Sequence, residues 1–85
     1  MTPTEAHRIS RAAGGLPMWV VYCRPKDFPS AYVARMHVIG GGGHYATKMH
    51  VIGMTVDEVR ELLPPGLYNL GRNPEDDAKI VEVWI

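Results

Sequence analysis

Two alternating runs on either side of four consecutive glycines constrain this chain more than any other feature. From Tyr32 to Ile39, the side chains of Tyr32, Ala34, Met36 and Val38 fall on one side, with Arg35 and His37 on the other. From Ala46 to Ile52, Thr47, Met49 and Val51 oppose Lys48 and His50. Successive side chains of a strand point to opposite faces, so each run reads as a half-buried strand. Gly40 to Gly43 then read as the flexible tip of a β-hairpin. The two apolar sets must share a face, because a one-residue slip would turn one of them to the wrong side. Even-numbered residues of the first strand must therefore stand opposite odd-numbered residues of the second. Of the registers that satisfy this, one sets Arg35 against Lys48, which is unfavourable. Another sets His37 against His50. The third pairs Met36 with Met49 and Val38 with Thr47, and it predicts a connection of about six residues.

The other segments add three strands and a helix. Met18 to Arg24 is apolar on both alternate sets, which predicts a strand covered on both faces. Pro25 ends it, and Asp27-Phe28-Pro29-Ser30 reads as a loop. Thr55-Val56-Asp57-Glu58 is a capping box, with Met54 and Val59 placed for a hydrophobic staple. Val56, Val59, Leu62 and Leu63 make the apolar face of that helix, and Pro64 and Pro65 stop it. Leu67 to Leu70 reads as a short strand, Gly71 to Asp77 as a polar loop, and Ile80 to Ile85 as the last strand. The order β-β-β-α-β-β predicts a small α+β domain over 18–85, with a mostly antiparallel sheet and one short helix packed on one face. Residues 1–17 read as an arm or a short helix, capped by Thr4 and stopped by Gly14. One short helix covers only part of five strands. The other face, expected to carry Trp19 or Trp84, needs cover from the arm or from a partner.

Composition removes several functional classes. The chain has 85 residues, enough for one domain with a modest core. Cys23 is its one cysteine, so neither a disulfide framework nor a multi-cysteine zinc site can form. No run is long enough to span a membrane, and residues 1–17 lack the apolar core of a secretory signal, so the expected location is cytoplasmic. Net charge is zero, which argues against general nucleic-acid binding. The charge is nevertheless split: residues 1–54 hold six basic and two acidic side chains, and residues 55–85 hold three basic and seven acidic ones.

No catalytic or cofactor motif emerges. The four histidines, His7, His37, His44 and His50, show no paired metal-binding spacing, and too few ligands converge for a metal site to be expected. The four glycines lead into His44-Tyr45 and a strand, not into the Lys-Ser/Thr and helix of a phosphate-binding loop. Cys23 lies in an apolar strand and reads as a buried structural residue. Glu75-Asp76-Asp77 lacks the ligand alternation of a calcium loop and reads as a solvated turn. Arg8, Arg11, Arg24, Lys26 and Arg35, with Trp19, Tyr22 and Phe28 among them, leave a single-stranded nucleic-acid surface as an alternative, although the ribonucleoprotein signature is missing. The chain is expected to be neither an enzyme nor a cofactor carrier.

Three segments carry a resemblance: Tyr-Cys-Arg-Pro-Lys-Asp-Phe-Pro at 22–29, Leu-Pro-Pro-Gly-Leu-Tyr at 63–68, and Val-Glu-Val-Trp at 81–84. In these the chain resembles a family of small bacterial and prophage proteins, over a little more than half its length. Residues 1–17 and the Gly40–Gly43 tip depart from that pattern. The resemblance brings no catalytic residues. It implies a class of small phage-encoded inhibitors of host defence, such as anti-CRISPR proteins. The functional expectation is a protein-binding module that occludes a surface of a larger complex, with partner-binding residues Trp84, Tyr68, Glu75, Asp76 and Asp77. The alternatives are a homo-oligomeric bacterial housekeeping protein and a single-stranded nucleic-acid binder.

Overall fold

A computed structural model describes residues 1–85. Two helices, α1 (Pro3–Ala12) and α2 (Val56–Leu62), accompany five strands: β1 (Leu16–Cys23), β2 (Tyr32–Gly40), β3 (Gly43–Gly53), β4 (Asn69–Gly71) and β5 (Ile80–Trp84). The strands form one antiparallel sheet in the order β3-β2-β1-β5-β4. The α+β class and the antiparallel sheet match the sequence pattern. The element order does not match at its start, because a helix precedes the sheet. No helix is long and apolar enough to cross a membrane.

The first helix is capped two residues earlier than Thr4. Thr2 accepts from the Glu5 amide at 3.1 Å, and the Glu5 carboxylate accepts from the Thr2 amide at 3.2 Å, a closed capping box with Pro3 in the first turn. Those bonds from Thr2 hold the Glu5 carboxyl below its usual pKa. Ala6 of α1 is buried in the same core as Trp19, Val21, Ala34, Met36, Val38 and Val59. Residues 3–12 are therefore part of the domain, not an arm beside it. Both helices lie on one face of the sheet.

Register fixes which face that is. Trp19 stands opposite Met36 on one side and Trp84 on the other, so both tryptophans face the helices. This corrects the expectation that one of them would lie on the uncovered face. Because β1 is apolar on both faces, its pattern alone could not decide between them. The indole supplies a second reason, since Trp19 Nε1 donates to His7 Nδ1 on α1 at 3.0 Å. A fully buried indole needs such an acceptor.

That bond makes the docking of α1 depend on pH. Nδ1 of His7 must be unprotonated to accept, and burial, then Arg11 on the same helix, lowers the pKa of the ring. Below pH ~6.5 the unfolded chain takes up a proton that the folded chain resists. Stability is therefore expected to be complete above that value and to fall as the pH drops through the folded-state pKa. Urea unfolding midpoints at pH 7.5 and pH 5.5 should separate more in the native protein than in His7→Gln. Equal separation would show that His7 does not titrate with folding.

The hairpin keeps the facing argument and changes the register. From Tyr32↔Gly53 to Arg35↔His50 the pairing is the one that avoids Arg35 against Lys48. Beyond a bulge it becomes His37↔Ala46, Val38↔Tyr45 and Ile39↔His44. Even residues of β2 face odd residues of β3 on both sides of the bulge. The expected pair Val38 with Thr47 is not formed. Thr47 instead closes the bulge, its hydroxyl donating to the Met36 carbonyl at 2.7 Å and accepting from the Met49 amide at 3.2 Å. The two extra residues shorten the connection from about six residues to a Gly41-Gly42 turn. Both glycines have positive φ, +59° and +80°, as a two-residue type I′ hairpin turn requires.

The second helix departs in details. Thr55 accepts from the Glu58 amide at 3.1 Å, while the Glu58 carboxylate reaches one residue further back, to the Met54 amide at 2.7 Å. Met54 and Leu62 are exposed, so the staple is not made and Leu62 leaves the buried face. Val59 is the residue that anchors α2 in the core. Gly53 permits this approach, because a Cβ there would stand 2.9 Å from Val59 Cγ2 and 3.0 Å from Glu58 Cβ. The fourth strand begins later than Leu67. Leu67 packs against the core, and the ladder with β5 runs through Tyr68 and Asn69.

Candidate functional site

Alternation from the helix-covered face identifies the opposite one. Met18, Val20 and Tyr22 of β1 stand beside His37, Arg35 and Val33 of β2, and Val83 and Ile80 of β5 stand beside Val20 and Tyr22. Ile52, His50, Ala46 and His44 extend this face across β3. Tyr68 exchanges backbone hydrogen bonds with Ile85 at 2.9 and 3.0 Å, which puts both on the same face at the β4 edge. No helix packs here. Among the strand residues just named the only charge is Arg35, and it pairs with Asp27 at 3.1 Å. The β1–β2 loop folds over one end, where the Phe28 ring lies 5.3 Å from His50.

The most exposed apolar side chains of this face are at the β4 edge. Tyr68 is 78% and Leu70 61% exposed. The turn that follows β4 carries Glu75, Asp76 and Asp77. Arg72 holds this turn through the carbonyls of Ile80 (3.0 Å) and Asp76 (3.1 Å), the Asp76 carboxylate accepts from the Asn73 amide, and Asp77 accepts from the Lys79 amide. The turn borders the helix-free face near Tyr22. Burial raises the pKa of that phenol, Arg35 opposes the rise, and Asp77, Asp27 and Asp76 reinforce it. Tyr68, Glu75, Asp76 and Asp77 therefore lie along one edge of the molecule.

Trp84 is on the other side. It is half-buried against the core, and its indole nitrogen donates to Glu82. Glu82 is the one buried charged residue. Arg60 of α2 binds it with two donors, Nε at 3.1 Å and NH2 at 2.7 Å, and Asn69 adds a third at 3.1 Å. The bonds to Glu82 hold the Arg60 guanidinium above its usual pKa. This cluster ties α2, β4 and β5 together and leaves no free functional group. Trp84 reaches the Tyr68 edge only by holding β5 in place.

Two features were missed by pattern reading. Leu70 joins Tyr68 on the exposed edge, which strand alternation could have indicated. His37 meets His44, not His50, with Nδ1 and Nε2 3.0 Å apart and Tyr22 Oη 3.1 Å from the other His37 nitrogen. Only the two-residue turn brings those imidazoles together. Cys23, expected to be buried, is half-buried at the end of β1. Comparison of the chain with protein-family models, curated proteins and solved structures finds no match.

Proposed function

We propose that the chain is a small non-catalytic protein-binding module of the cytoplasm, docking through the β4 edge of its helix-free face. The observation that carries this reading is the exposure of Tyr68 and Leu70 on the edge strand that leads into the acidic turn 75–77. Aromatic anchors dominate interface energy, while rim charges mainly set the rate of encounter. The matching partner surface is an apolar patch flanked by Lys or Arg. The acidic balance of residues 55–85 favours the same partner. An inhibitor that covers a surface of a larger complex, of the anti-CRISPR kind, is the form of this reading that the resemblance implies.

A second reading is a homodimer. It is favoured by the few charges on the strands of the helix-free face, Arg35, which Asp27 neutralises, and Lys48, so that two copies could pack with little repulsion. Single-stranded nucleic acid is the least favoured alternative, because Trp19 lies in the core and cannot stack on a base.

The test is comparative capture from a bacterial lysate with the native chain and Tyr68→Ser/Leu70→Ser. Both residues are exposed, so melting should shift little. A protein retained by the native chain and lost with the variant supports the reading. Retention of the same proteins by both would refute it. Loss of concentration-dependent dimerisation in the variant, with no captured protein, would establish the second reading in its place. Glu75→Lys should slow association with a captured partner about tenfold at low salt. Glu75 is the clean position, since Asp76 and Asp77 also hold the turn.

A further inference from the structure

The imidazoles of His37 and His44 meet across the β2–β3 hairpin, with ring centroids 5.2 Å apart. Tyr22 on β1 holds Nε2 of His37, so Nδ1 is the atom turned towards His44. A partner on the far nitrogen is the arrangement that orients histidine ligands in metal sites. We propose that His37 Nδ1 and His44 Nε2 form a two-imidazole site for a first-row divalent metal of tetragonal preference, nickel(II) or copper(II). This site is independent of the protein-binding reading.

The spacing fits such an ion. Nitrogens bound at ~2.0–2.1 Å and about 90–95° apart, as adjacent positions of a tetragonal ion require, stand ~3.0 Å from each other. A tetrahedral zinc ion at the same bond length would need ~3.3 Å. The observed separation is 3.0 Å, so the two nitrogens already stand at that spacing, and binding needs only a turn of the rings that aims both lone pairs at the ion instead of along their mutual hydrogen bond. Imidazole donors also exclude magnesium and calcium, which take oxygen ligands. One facing nitrogen carries the proton of the present hydrogen bond. Binding moves that proton to the other nitrogen of the same ring, with no net release. If the ring is His37, its Nε2–H then donates to Tyr22 Oη. No third His, Cys, Asp or Glu side chain joins the pair, so the other positions take water and the affinity is modest.

Nickel is the probe, because it does not oxidise Cys23. The full chain should bind one Ni²⁺ at pH 7.4 by calorimetry, and its melting temperature should rise with added nickel. His44→Ala should weaken binding at least tenfold and abolish the rise. This position is exposed, so the variant should fold. His50→Ala, whose ring lies against Phe28, should bind as the native chain does. Three results would overturn the proposal: no binding by the native chain, unchanged binding by His44→Ala, or an equal response to Mg²⁺.

Discussion

Replacing Trp19 with Ala is expected to remove about half or more of the stability of the fold and to move its unfolding midpoint far down in urea. The side chain is fully buried and lies between Met36 and Trp84 in the ladder, under α1. Truncating a buried aromatic to Ala costs about 3–5 kcal/mol. The lost bond to His7 Nδ1 adds about 1 kcal/mol. A domain of this size has roughly 5–10 kcal/mol in total. Trp19→Phe keeps most of the volume and loses the donor, and should cost about 2 kcal/mol. Urea titration read by far-ultraviolet circular dichroism would measure both. An Ala variant within about 1 kcal/mol of the native protein would mean that the indole is not the keystone of the core.

The second large effect is expected at Glu82. Glu82 is 3% exposed, and its carboxylate accepts from Arg60, Asn69 and Trp84. Glu82→Ala leaves the Asn69 and Trp84 donors without an acceptor and releases α2 from β5, at about 3 kcal/mol. Glu82→Gln keeps the shape, removes the charge, and should recover part of that loss. Thermal melting of both variants would check the order. If Gln were as damaging as Ala, the charge would matter more than the packing. If neither variant lost stability, the cluster would be dispensable to the fold.

Much of the fold was legible because alternation and capping are local. The hairpin faces, the Thr55–Glu58 start of α2 and the positions of β1 and β5 follow from residues within a few positions of one another. What was not legible depends on distant partners. The face chosen by β1 is set by α1 and its His7, twelve residues away from Trp19. The bulge at Thr47 lets the pairing that keeps Arg35 from Lys48 coexist with a two-residue turn, a combination that no single register contains. The closing Val-Glu-Val-Trp strand reads as an alternating run. Its glutamate faces inward only because Arg60, Asn69 and Trp84 converge on it. At the candidate site, Tyr68 and the acidic turn were legible as exposed residues. Trp84 was not separable from them, because a half-buried indole and an exposed one look alike in sequence.

The central claim is that protein partners dock at the β4 edge. Amide hydrogen exchange on the isolated chain and on its purified complex tests it most directly. The account predicts new protection at residues 68–79 and none at α1. Protection confined to α1 or to the outer edge of β3, with residues 68–79 exchanging as in the free chain, would contradict it.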